Sequence, residues 1–225
     1  MQGQHAKLEW REGGVPVSTD FDDPYFSLEN GLAETRHVFL AGNNLPERFC
    51  DGFHIAELGF GTGLNCLTTV MDWAQSGQKG RLHFTSFEAF PMRADEMATA
   101  LDAFPELAGP AETLVSAWSK GAREIEFKEG VCLRVIEGDA RETLPAWQGK
   151  ADAWYLDGFS PAKNPELWED SLLNAVAKHT APGGTVATYT AAGFVRRGLD
   201  AAGFTVTREP GYGRKRHMTV ARMTP

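Results

Sequence analysis

The chain has 225 residues, 42% of them hydrophobic, enough to bury one full core, and its formal charge of −8 excludes a protein that is basic throughout, as many nucleic-acid-binding domains are. No apolar run approaches the roughly 20 residues of a membrane span, and the polar start Met1-Gln2-Gly3-Gln4-His5 lacks signal-peptide features, so the cytoplasm is the expected compartment. Three scattered cysteines and six histidines form no CxxC or HExxH spacing, which argues against a disulfide framework and against a metal site.

Residues 1–50 are the least regular part. Asp20, Asp22 and Asp23 precede Pro24-Tyr25-Phe26, and the segment reads as an extension, a lid or added β-structure, packed on a core domain of residues 51–225. The core opens on a buried strand, Phe53 to Leu58. It runs through Glu57-Leu58-Gly59-Phe60-Gly61-Thr62-Gly63-Leu64-Asn65 into a helix whose Leu64, Leu67, Met71 and Ala74 recur at three- and four-residue steps. Glycines there let the backbone turn sharply and bring unpaired N–H groups up to a ligand at the helix start.

The spacing narrows the ligand. A dinucleotide fingerprint wants glycine at position 64, where this chain has Leu64, and the next acidic strand end, Glu88, comes 31 residues after Glu57 rather than about 20 beyond the motif. S-adenosylmethionine fits better, because it has no pyrophosphate to demand the third glycine but carries a ribose diol that a carboxylate binds bidentately. Glu88, closing a strand from Arg81 to Phe87, is the candidate ribose ligand, and Glu57 the candidate for the ammonium of the methionine end.

Further on, the pattern predicts a helix from Pro91 to Ala103, a strand from Val131 to Ile136, a helix starting near Glu142 and a strand from Ala151 to Leu156. A helix from Glu166 to Lys178, a strand from Gly184 to Tyr189 and a short helix from Phe194 to Ala202 follow. The tail offers strands from Phe204 to Thr207 and His217 to Arg222. This alternation implies an α/β, Rossmann-like, mainly parallel seven-stranded sheet with an antiparallel C-terminal hairpin, a tail typical of methyltransferases.

Ligands of such sheets bind beyond the carboxyl ends of the strands, where Glu57, Glu88, Asp139 and Asp157 stand. Asp139, ahead of Ala140-Arg141, suits both the adenine amino group and the N-cap of the next helix. Asp157 opens the loop Asp157-Gly158-Phe159-Ser160-Pro161-Ala162-Lys163-Asn164-Pro165 at the strand end that faces the transferred methyl group in this fold, a place suited to holding an amine acceptor. An ordinary aspartate, with a pKa of about 3.9, is a poor base for an ammonium, so positioning is its expected role. Tyr25, Phe159 and Tyr212 are candidate walls for a flat ring. Arg214, Lys215 and Arg216 head a basic concentration in the last thirty residues, with Lys163 a possible neighbour; a solvated surface and a phosphate-contacting patch both remain open for it.

The glycine turn, the Asp157 loop and Gly211-Tyr212-Gly213-Arg214-Lys215-Arg216 together resemble the methyltransferase domain of the bacterial tRNA 5-methylaminomethyl-2-thiouridine biosynthesis protein. Asp23-Pro24-Tyr25-Phe26-Ser27, His37-Val38-Phe39-Leu40, Asn43 and Asn44 extend the resemblance over nearly the whole chain. The resemblance implies methylation, from S-adenosylmethionine and without metal, of the aminomethyl group on the wobble uridine of certain tRNAs. Asp157 would face the acceptor amine, Gly59, Gly61, Gly63, Asn65, Glu88, Asp139 and Ala140 would contact the cofactor, and the basic turn would bind the anticodon stem-loop. Members of the family are often fused to a flavin-dependent oxidase. The chain stops at Pro225 without a second glycine-rich βαβ motif, so the expectation is a stand-alone or excised methyltransferase with no flavin and no oxidase activity of its own. Two rivals share the glycine turn and acidic strand ends: a small-molecule amine methyl- or aminopropyltransferase, and a non-catalytic partner built on a cofactor fold.

Overall fold

The computed structural model describes residues 5–27 and 30–224, so the polar start over residues 1–4 lies outside it. The N-terminal segment supplies its own three-stranded antiparallel sheet, β1 (Leu8–Arg11), β2 (Val15–Ser18) and β3 (Asp23–Pro24). A short helix, α1 (Gly31–Thr35), follows, started by Asn30, whose Oδ1 accepts the Ala33 N–H at 2.9 Å. It continues into a π-helical turn, Arg36–Leu40, that buries Val38, Phe39 and Leu40 in the same apolar cluster as Ile55 and Leu67 of the core. Asn43 ties this segment to the main sheet: its Nδ2 donates to Phe39 O and Trp154 O, and its Oδ1 accepts from Thr185 Oγ1 at 2.6 Å.

Among the described residues the main sheet has eight strands. β4 (His54–Leu58), β5 (Leu82–Glu88), β7 (Val131–Glu137), β8 (Ala151–Leu156) and β9 (Thr180–Thr188) run parallel; β6 (Glu124–Glu126), β10 (Phe204–Pro210) and β11 (His217–Met223) are antiparallel to their neighbours. The order is β10-β11-β9-β8-β4-β5-β7-β6. The chain winds outward from β4 through β5 and β7, then returns to the other side of β4 with β8. The switch point therefore lies between β4 and β8, where Leu58 pairs with Leu156 and both strands release their loops side by side.

Buried strands put alternate side chains on opposite faces. Ile55 and Tyr155 enter one apolar cluster, while Ala56, Trp154 and Leu156 enter the other, so helices cover both faces of the sheet. The helices are α2 (Leu64–Ser76), α3 (Ala94–Leu101), α4 (Ala108–Ser119), α5 (Ala140–Ala146), α6 (Asp170–Lys178) and α7 (Gly193–Ala201). Gly63 (φ 80°) and Gly77 (φ 70°) bound α2 in the left-handed conformation that glycine reaches without strain.

Several expectations are corrected. The sheet has eight strands rather than seven, because the three-residue edge strand β6 is too short to show a period. Helix α4, in a stretch for which the sequence pattern predicts no element, begins Ala108-Gly109-Pro110; proline is tolerated there because the first-turn N–H groups have no intrahelical partner. The helix expected over residues 166–178 breaks at Glu169 (ψ 148°) into a 3₁₀ turn, Pro165–Trp168, and α6. Among the described residues, no helix is long and apolar enough to cross a membrane.

Candidate active site

A cavity of about 870 Å³ opens beyond the carboxyl ends of β4, β5 and β8 and is closed on the far side by the N-terminal segment. Its floor is the glycine turn. A Cβ at Gly59 (φ 84°) would stand 3.2 Å from Gly158 Cα, and one at Gly61 (φ 54°) 3.1 Å from the Tyr25 ring, so two backbones and an aromatic wall meet where only glycine fits. Gly63 serves the core instead. Its Cβ would press on Leu114 at 2.7 Å, and it does not line the cavity.

Glu88, at the end of β5, lines the cavity while its carboxylate is held from behind. Oε2 accepts the Gly61 N–H at 2.9 Å and Oε1 the Phe90 N–H at 2.8 Å. Burial raises its proton affinity and the backbone donors oppose that rise. The backbone N–H groups of Phe60 and Ala89 act on it in the same sense as those of Gly61 and Phe90, so the carboxyl is fixed at the end of β5 on the cavity wall, the position the sequence reading gives to the ribose ligand. Asp139 caps α5 by accepting the Arg141 N–H at 2.8 Å, and both its oxygens also accept from the Arg141 guanidinium, which lowers its pKa. The N-cap reading of Asp139 therefore holds, and Asp139 and Ala140 both line the cavity.

Glu57 is not where the sequence suggests. The residue points into the sheet, opposite Ser86 in the β4/β5 register, and is fully buried outside the cavity lining. Its Oε2 accepts from Ser86 Oγ at 2.7 Å and its Oε1 from Asn65 Nδ2 at 2.9 Å, and burial holds its carboxyl well above the usual range. Asn65, which does line the cavity, donates from the same Nδ2 to Asp157 Oδ2 at 2.8 Å, and Thr35 Oγ1 donates to Asn65 Oδ1 at 2.8 Å. A buried polar chain thus runs from Ser86 through Glu57 and Asn65 to Asp157.

Asp157 Oδ1 accepts its own loop's Gly158 N–H at 2.8 Å. Desolvation in the cavity wall is the largest influence on this carboxyl and raises its pKa to about 6; the Asn65 and Gly158 donors and the Lys215 ammonium pull the other way. The sequence expectation of an unperturbed aspartate is therefore corrected, for a group titrating near 6 is much the better proton acceptor at neutral pH.

The aromatic walls assemble from distant segments. Phe159 stacks on Phe21 with centroids 4.7 Å apart and meets Tyr25 edge-on at 5.1 Å. Ser160 N–H donates to Asp23 Oδ2 at 2.7 Å, and Lys163 Nζ donates to the Asp22 carbonyl and to Asp22 Oδ2. Lys163 therefore latches the Asp157 loop to the N-terminal segment and does not line the cavity. Tyr212, Arg214 and Lys215 line it; Arg216 is exposed outside it. Phe21, Glu34 and Tyr189 also belong to the wall and escaped sequence reading. Tyr189 was findable, since it follows β9 at the same end of the sheet as the four acids; Glu34 gave no signal. Among the described residues, no three His, Cys, Asp or Glu side chains are arranged to hold a metal ion.

A glycine turn at the switch point, an acid closing the next strand and an antiparallel terminal hairpin define a class, the α/β transferases that take S-adenosylmethionine. The chain belongs to the S-adenosyl-L-methionine-dependent methyltransferase family whose model matches residues 105–224. It is 48% identical, over 94% of its length, to the tRNA 5-methylaminomethyl-2-thiouridine biosynthesis bifunctional protein MnmC of Aeromonas salmonicida, and 47% identical, over 96%, to the protein of that name from Stutzerimonas stutzeri. It covers 34% of each, so it spans about a third of the length of these curated relatives. The crystal structure of MNMC2 from Aquifex aeolicus superposes over the whole chain and 73% of its own length, with a TM-score of 0.76 and 26% identity. Spermidine synthase from Thermotoga maritima, at 8% identity and a TM-score of 0.53, shares the fold.

Proposed function

We propose that this chain transfers a methyl group from S-adenosylmethionine to the primary amine of a 5-aminomethyl group on the wobble uridine of tRNA, giving the 5-methylaminomethyl form. The observation that carries the reading is Asp157, a cavity-lining carboxylate at the end of β8 with its pKa raised to about 6, beside an aromatic wall of Tyr25 and Phe159 that suits a flat base. The MnmC relatives, whose name specifies a 5-methylaminomethyl-2-thiouridine product, support the choice of acceptor. The cytoplasm is the compartment this reading implies, and a flavin-dependent oxidase, as a fused domain or separate protein, is its upstream partner.

The cofactor supplies a methyl group on a positively charged sulfur, which becomes a neutral thioether when nitrogen takes the methyl. Gly59 and Gly61 line the cavity that would receive it, and Glu88 offers the diol acceptor at the second strand end. The protein's own task is the acceptor's proton. A primary alkylammonium titrates near 10, so its nitrogen has no free lone pair at neutral pH. Asp157 ion-pairs the ammonium through an oxygen not engaged by Asn65, turns the nitrogen toward the methyl group, and relays the released proton to water. Raising the aspartate from its usual range to about 6 narrows the gap to the amine while leaving it mostly ionised at pH 7. Holding the pair in reacting geometry contributes several kcal/mol, on the order of what oriented intramolecular reactions gain.

The test is transfer of labelled methyl from S-adenosylmethionine to total tRNA from cells lacking this modification, followed by nucleoside analysis. Label in 5-methylaminomethyluridine or its 2-thio form is the expected result. Label on free polyamines in preference to tRNA would transfer the assignment to a small-molecule amine transferase, and no label anywhere from folded protein to a non-catalytic partner.

A further inference from the structure

Lys215 stands on the exposed turn between β10 and β11, yet its ammonium reaches back into the acceptor end of the cavity. Nζ donates to Glu34 Oε1 at 2.8 Å and lies 4.1 Å from the centroid of the Tyr189 ring. The ring is fixed, because Tyr189 Oη donates at 2.8 Å to the carbonyl of Gly158, the residue after Asp157. Lys215, Glu34, Tyr189 and Asp157 line one cavity, and the Lys215 charge is near enough to depress the Asp157 carboxyl against the effect of its burial.

A carboxylate whose side chain is 14% exposed, set against an aromatic face, is the pairing that binds an alkylammonium. Here it holds one supplied by the chain itself. Lys215 ends in the same group as the acceptor of the proposed reaction, a primary ammonium on a methylene. A lysine serving only RNA phosphates would direct Nζ outward from its turn, and this one is turned inward onto an acid and a ring beside Asp157.

We propose that Glu34 and Tyr189 form the subsite that recognises the acceptor's primary ammonium, and that Lys215 Nζ occupies this subsite until the substrate displaces it. The proposal rests on the amine-acceptor reading above and adds the residues that select for a primary cation. Glu34 supplies the countercharge, Tyr189 the face, and Asp157 receives the nitrogen as it advances. Displaced, Lys215 becomes available to the phosphates flanking the inserted nucleotide, so its two roles are successive.

Two opposite effects of one substitution provide the test. The probe is the nucleoside 5-aminomethyluridine, which has the amine and no phosphate, titrated calorimetrically into protein saturated with S-adenosylhomocysteine so that no turnover intervenes. Lys215→Met should bind it about fivefold more tightly than wild type, since no internal cation has to be displaced. Adding Glu34→Gln to Lys215→Met should reverse that gain, and plain uridine should distinguish none of the three proteins. Unchanged or weaker nucleoside binding by Lys215→Met, or indifference of that variant to Glu34→Gln, overturns the subsite. The two readings fail separately: tRNA methylation with no gain in Lys215→Met removes the subsite alone, and a gain without any tRNA methylation removes the RNA acceptor alone.

Discussion

Asn65 holds Asp157 by an amide hydrogen bond of 2.8 Å from Nδ2 to Oδ2, while the same Nδ2 donates to the buried Glu57 at 2.9 Å. Both amide protons are thus committed to carboxylates, and Thr35 Oγ1 fixes the orientation by donating to Asn65 Oδ1. A flipped amide would set its oxygen against the Asp157 carboxylate and lose the donor that Glu57 accepts. The catalytic candidate is therefore aimed by a side chain from α2 that is itself braced from α1 and β4. Asn65→Ala should lower turnover at least tenfold through Asp157 and cost about 1–3 kcal/mol of stability by leaving Glu57 short of a donor. Thermal melting and single-turnover rates check both; a variant with wild-type melting and wild-type rate would disconnect the chain.

Asp157 gives a prediction in pH. Methyl transfer should fall as pH drops through about 6, because the carboxylate form is lost there, and Asp157→Asn should lack that limb while turning over more slowly at pH 7. Asp157→Ala should be slower still, by well over tenfold, with cofactor affinity much less affected. Stability moves the other way. A carboxyl whose folded pKa is raised stabilises fully below its unfolded value of about 3.9, and that contribution is lost as pH rises through about 6. Asp157→Asn should accordingly gain in melting temperature over wild type at pH 7 and show little gain at pH 4.

Glu88→Ala should weaken S-adenosylmethionine binding by about 1.5–3 kcal/mol, the loss of a charged acceptor for two hydroxyls. The variant also frees the Gly61 and Phe90 N–H groups, so Glu88→Gln, which keeps one acceptor oxygen, should fall between. Calorimetric affinity equal to wild type in a folded Glu88→Ala protein would take the residue out of the ribose position.

What the sequence revealed and what it hid follow from the same geometry. Strand ends were legible because mostly apolar stretches such as Ile55 to Leu58 and Ala151 to Leu156, each interrupted by a single acid (Glu57, Asp152), are followed abruptly by glycine or acid, and the parallel fold sends all those ends to one side. Which way a side chain points at the end of a strand was not. Glu57 sits one residue before the strand finishes, and the alternation carries it inward to Ser86, whereas Asp157 lies just past Leu156 and turns to the cavity. Phe21, Glu34 and the Lys163 latch depend on how an aperiodic segment folds over the sheet, a relation between positions more than a hundred residues apart that no local pattern encodes.

The basic turn gives the last prediction. An acidic chain binds an anticodon stem-loop through a local concentration of cations, and Arg214, on the cavity wall, and Arg216, exposed outside it, flank a lysine that is turned inward onto Glu34. Phosphate affinity should therefore reside mainly in the two arginines, with Lys215 joining them only after the acceptor displaces it. Arg214→Ala/Arg216→Ala should raise KM for tRNA, leave cofactor affinity nearly unchanged and flatten the salt dependence by about 0.7 log units for each phosphate that is no longer neutralised. Lys215→Met should raise KM for tRNA less than the double variant does, since the vacated ammonium subsite offsets the missing phosphate partner. If the double variant keeps the wild-type salt slope, the turn is structural and the RNA footprint lies elsewhere, with exposed Arg208 on β10 and Arg222 on β11 the next residues to replace.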